Sequence, residues 1–140
     1  MNTIQQQLLV SGTVLFLLGL LIGFAIPALP NPRMGVTVHL TGVQSGLALW
    51  ALGLMWQRMA LSTGMQRAAE ILAILGLYAI FASLLLAALW GTSRATPIAG
   101  AGHHASFARE TIVTVVVTGG SLAIAIATAL VLWGLCAWKP

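Results

Sequence analysis

Of the three histidines in this chain, His39 alone lies deep in an apolar stretch, within NPRMGVTVHLTGVQSG at residues 31–46. At 100° per residue, Gly35, His39, Gly42, Gly46 and Gly53 fall within about 60° of one another on a helix. One stripe of four glycines and an imidazole admits two uses. Small residues at four-residue spacing let a neighbouring helix approach closely, which is the commoner use of Gly42 and Gly46. The same bare surface leaves room for a flat, bulky group, which the imidazole would ligate. His39 sits roughly 10 Å along its helix, inside the hydrocarbon. Ionisable residues at such depth are rare and functional by default. The alternative is a neutral histidine that hydrogen-bonds across to another helix.

Other polar side chains can be placed by depth. Tyr78 and Ser45 lie at similar levels on antiparallel helices, and Ser83 lies close to the level of His39. A buried tyrosine hydroxyl needs a partner, whereas a helical serine can bond a carbonyl of its own preceding turn. Ser45 points about 120° away from His39, so the two share a pocket only if it wraps the helix or draws on a second subunit. Glu70 and Glu110 read as solvated carboxylates at helix starts, favourable with the helix dipole. His103 and His104 are adjacent loop residues with no Cys or acid beside them, as wet loop histidines are. The single cysteine, Cys136, rules out an internal disulfide and reads as a small packing residue. No P-loop, GxGxxG, HExxH or nucleophile-elbow motif is present.

The elements that must position these groups follow from composition. Hydrophobic residues make up 59 % of the chain and charged residues only 6 %, with a mean hydropathy of +1.00. A soluble domain carries about 25 % charged residues, so this chain cannot cover a water-facing surface. The expected fold is all-α, a single integral membrane bundle of four transmembrane helices over residues 1–140. The apolar runs cover about 8–28, 32–56, 70–90 and 111–138, each near the ~20 residues that cross a bilayer. PALPNPR ends the first run and offers Asn31 as N-cap and Pro32 as first helical residue of the second. QRMALSTGMQR reads as a short polar turn, and residues 91–110 form the one long loop. Trp56, Trp90 and Trp138 fall at span ends, where indoles anchor at the interface.

The net charge of +4 rests on six Lys/Arg against two acids, too sparse for a nucleic-acid footprint. Three basic residues lie at each membrane face, and only the terminal amine tips the balance towards cytoplasmic termini. The chain lacks the charged pathway of a pump and the paired broken helices of a transporter.

NPRMGVTVHLTGVQSG, together with LYAIFASLLLAALWG, PIAGAGH and ATALVLWGL in that order, resembles the bacterial hydroxylaminobenzene mutases, small four-helix membrane isomerases. That family is in turn similar to styrene oxide isomerases, which share the histidine followed by glycines three and seven residues later, here His39, Gly42 and Gly46. The resemblance implies haem b with His39 as axial ligand, Gly42 and Gly46 as room for the porphyrin, and a homotrimer with haem between subunits. It implies a redox-neutral rearrangement of a small apolar aromatic that partitions into the lipid bilayer: aryl hydroxylamine to aminophenol, or aryl epoxide to aldehyde. The iron would act as Lewis acid, with Tyr78, Ser45 and Ser83 as the polar groups at the reacting oxygen. A bacterial cytoplasmic membrane is the implied location. Family members carry Glu and Asn where this chain has Thr41 and Ser45, and an amide and an indole where it has Ser83 and Leu84. A non-catalytic haem-binding or small-ligand membrane protein, for electron transfer or sensing, is the competing reading; a purely structural bundle is a third.

Overall fold

The computed structural model describes residues 3–138. They form α1 (Thr3–Ala25), α2 (Pro32–Met55), α3 (Thr63–Trp90) and α4 (Phe107–Ala137), with single 3-10 turns at Ile26–Ala28 and Trp56–Arg58. All four helices are long and apolar enough to cross a membrane. The chain is an all-helical, multi-pass membrane bundle.

Local chemistry sets the helix ends. Asn31 caps α2, its Oδ1 accepting the Met34 N–H at 3.1 Å, and Pro32 follows as the first helical residue. Ser62 caps α3 in the same way. Gly91 closes α3 at φ +68, the left-handed conformation a C-terminal glycine allows. Because Ser62 starts α3, its first two turns run through the segment read as a polar turn. Glu70 thereby moves from the helix start into the third turn. Gly64, Gln66 and Arg67 make these turns read as polar, and it is the Ser62 cap that starts the helix before them.

Two hairpins make the bundle. α1 pairs with α2, α3 pairs with α4, and the hairpins meet mainly through α2 and α3. Glycines allow both pairings. A Cβ on Gly42 would stand 2.6 Å from the Gly19 Cα, and one on Gly46 would stand 2.7 Å from the Gly12 carbonyl oxygen. Gly76 and Gly120 face each other in α3 and α4 just as closely. At such distances dispersion and close backbone packing replace the hydrophobic drive that lipid does not supply. Leu75, Val115, Leu122, Leu132 and Trp133 are all more than 60 % exposed on the bundle's outside, as lipid-facing side chains are.

Two sequence readings are corrected at this level. Trp56 is no interfacial anchor: it is 2 % exposed, buried where the 3-10 turn folds it under α2. Cys136 faces outward from α4 instead of packing inside.

The loop between α3 and α4 folds over one end of the bundle. Asn31 donates through Nδ2 to the Ala99 carbonyl at 3.0 Å, and the His103 Nε2 donates to the Pro30 carbonyl at 3.3 Å. Glu110 is not solvated, as the sequence suggested. It is 7 % exposed and accepts the backbone N–H groups of Ser93 and Arg94, each at 3.0 Å. A carboxylate can be buried there because two charge-assisted bonds satisfy it. His104 remains exposed.

Candidate functional site

The glycine stripe of α2 is a single face, and α1 covers it. Gly42 meets Gly19, Gly46 meets Gly12 and Phe16, and Gly53 meets Leu9. Within the chain Gly42 and Gly46 therefore serve the close helix packing that their four-residue spacing allows.

His39 sits at the edge of this seam, half-buried. Its Nδ1 lies 2.8 Å from the Gly19 carbonyl oxygen. A carbonyl only accepts, so Nδ1 carries the hydrogen. The ring also lies against Gly23, where an added Cβ would come within 2.9 Å of Nδ1. Nε2 takes no hydrogen bond among the described residues. The ring lines a groove on the outside of the bundle with Leu20, Gly23, Phe24 and Ile26, and Phe24 is 86 % exposed. The interhelical hydrogen bond and the ligand reading thus coexist: one nitrogen is held by α1 and the other is free.

A free imidazole nitrogen in an apolar groove can ligate a metal. Among the described residues no three His, Cys, Asp or Glu side chains converge, so a metal at Nε2 would have one protein ligand here. That donor set suits a metal that brings its other ligands with it, as a macrocycle does.

The remaining candidates are not brought to His39. Tyr78 donates to the Ser11 carbonyl on α1 at 2.9 Å. Ser11 and Gly19 are eight residues apart on one helix, about 12 Å along its axis. Within one chain Tyr78 and His39 thus contact α1 at different levels, and the Tyr78 hydroxyl donates to a backbone carbonyl. Ser83 is fully buried and donates to the Ile80 carbonyl of its own helix at 2.8 Å. Ser45 is 5 % exposed, inside the bundle, while His39 opens outward. Neither serine reaches the groove.

Glu70 also departs from its expected solvated position. It is 2 % exposed and pairs with Arg67 at 2.7 Å, and Arg67 reaches on to the Gln7 side chain of α1 at 3.0 Å. This is a staple between α3 and α1. Reading residues singly missed what the neighbouring helix contributes: the Gly19 carbonyl, the bare Gly23, and the groove walls Leu20 and Phe24. The Gly19–Gly23 spacing in the first apolar run was the available signal, and it read only as a packing motif.

The comparisons with known proteins agree with this architecture. The family model for styrene oxide isomerase matches residues 4–136. Hydroxylaminobenzene mutase HabB of Ectopseudomonas oleovorans is 45 % identical over 131 residues, covering 93 % of this chain and 80 % of that protein. Hydroxylaminobenzene mutase HabA of the same organism is 43 % identical over 111 residues, covering 79 % of this chain and 82 % of its own length. No solved structure matches. A family model that spans nearly the whole chain, with two mutases aligned along most of it, assigns the protein: it belongs to the styrene oxide isomerase family and is a membrane isomerase.

Proposed function

We propose that this isomerase converts N-aryl hydroxylamines to aminophenols, with haem b held by His39 Nε2 in the lipid-facing groove. The observation that carries the cofactor is the hydrogen bond from Nδ1 to the Gly19 carbonyl, which leaves Nε2 as the ring's one free nitrogen. Metal-ligating histidines hold their second nitrogen on a carbonyl in this way. The substrate class rests on the two mutases, 45 % and 43 % identical. As a membrane isomerase, the protein departs from the alternative of a non-catalytic ligand carrier.

The reaction balances without a co-reactant. The N–O bond breaks, a C–O bond forms on the ring, and the displaced ring hydrogen ends on nitrogen. Haem iron, when bound, would supply a Lewis acid that helps the N–O bond to break. The chain's own residues orient and exclude water. Leu20, Phe24 and Ile26 give the aromatic ring an apolar wall, and α1 holds the imidazole in place. Tyr78, Ser45 and Ser83 do not enter this step, since their hydroxyls are committed or enclosed.

A groove open on the outside of one chain is half a site, so a homotrimer with haem between subunits completes the proposal. The bacterial cytoplasmic membrane, with cytoplasmic termini, is its location. An aryl epoxide rearranging to an aldehyde is the second reading, favoured by the family model for styrene oxide isomerase. Incubation of the detergent-purified, haem-supplied protein with phenylhydroxylamine and, separately, with styrene oxide decides between them. Aminophenol supports the first reading and aldehyde the second; neither product from either compound overturns both.

A further inference from the structure

We propose that α1 fixes the tautomer and the plane of the His39 ring, with Gly19 and Gly23 as positioning residues. Two independent contacts carry this. The Gly19 carbonyl stands 2.8 Å from Nδ1, so that nitrogen must bear a hydrogen. The bare Cα of Gly23 leaves room for the Nδ1–Cε1 side of the ring against α1: a Cβ there would stand 2.9 Å from Nδ1 and 3.1 Å from Cε1. The 2.9 Å approach is one real Cβ atoms essentially never show, so on adding a methyl at Gly23 the ring or α1 must shift, which disturbs the Nδ1–Gly19 contact.

The consequence is chemical. Among the described residues Nε2 has no hydrogen-bond partner, and its surroundings in the groove are apolar. In the neutral ring, a hydrogen held at Nδ1 leaves the lone pair on Nε2. An electron-pair acceptor docking in the groove meets that lone pair. The glycine pair in α1, four residues apart, holds both the carbonyl and the gap on one side of the helix. α1 touches the ligand atom nowhere, yet it decides which atom the ligand is.

This assignment holds for the haem-free protein, and only its consequence for affinity rests on the proposed cofactor. The test is 15N NMR of histidine-labelled, haem-free protein in detergent micelles, with His39→Ala identifying the His39 signals. The expected spectrum has a protonated Nδ1 and a pyridine-type Nε2. A protonated Nε2 with a bare Nδ1, in the wild type, overturns the inference. Gly23→Ala is expected to give a mixture of tautomers and haem affinity lower by about 10-fold or more, the usual cost of losing a ligand's outer partner. Gly119→Ala, where nothing lies within 4 Å of the added Cβ, is the matched control and is expected to change neither. A Gly23→Ala spectrum identical to wild type removes Gly23 from the proposal. Should that variant fail to fold, the wild-type spectrum still decides the tautomer. Protein that takes up no haem but shows the Nδ1-protonated ring removes the cofactor and leaves this inference standing.

Discussion

The Gly19 and Ser11 carbonyls of α1 accept side-chain hydrogen bonds from other helices, from His39 of α2 and Tyr78 of α3. The bonds are alike in length, 2.8 and 2.9 Å, and both tie α1 to a neighbouring helix. Their chemical outcomes differ. An imidazole held through one nitrogen keeps a second, with a lone pair, for something else. A phenol has one hydrogen, and once the carbonyl takes it the group can donate to nothing further. The first contact leaves a reactive atom at the bundle's surface, whereas the second is a staple. What a polar residue inside a membrane helix can still do chemically is thus set by what its partner leaves over.

The largest effect expected from breaking this contrast is in His39→Ala. Turnover should fall by more than about 100-fold, the range a lost electrostatic or metal contribution removes, while the fold keeps its α1–α2 glycine contacts. A rate assay and a melting curve on the same preparation check both halves. Next comes Gly42→Ala, which adds a methyl 2.6 Å from the Gly19 Cα. Overpacking of this kind costs about 1–3 kcal/mol, and spreading the seam also draws the Gly19 carbonyl from His39. Thermal unfolding and turnover should therefore fall together. Tyr78→Phe is expected to lose only about 1 kcal/mol of stability, the net worth of one hydrogen bond, with turnover per folded molecule unchanged. A large loss of turnover at full stability would return Tyr78 to the reacting oxygen. Smallest is Ser83→Ala, whose hydroxyl bonds only the Ile80 carbonyl of its own helix. Its unfolding free energy, read from a melting curve, should change by less than that of Tyr78→Phe, because alanine's better helix propensity, about 0.5 kcal/mol, offsets part of the lost bond.

The architecture was legible in the sequence because hydropathy and helix caps are local. Four apolar runs gave four helices, and Asn31 with Pro32 opened α2 as read. The face shared by Gly35, His39, Gly42, Gly46 and Gly53 was also legible, since 3.6-residue periodicity needs no partner. What covers that face was not: the gap read as space is filled by Gly12 and Gly19 of α1. Glu70 and Glu110 were misread for a related reason. Their solvation was inferred from their own helix ends, but Arg67 and the Ser93–Arg94 backbone satisfy them from elsewhere. The Tyr78 hydroxyl reads as needing a partner, and that partner is a backbone carbonyl, which every residue has and no sequence marks.

The central claim is that His39 offers a free Nε2 to haem iron. Its most direct test is the absorption spectrum of protein purified in detergent after expression with ample haem. A Soret band in the wild type, retained in Tyr78→Phe and lost in His39→Ala, is the expected result. A colourless wild type, or a band that survives unchanged in His39→Ala, would contradict it.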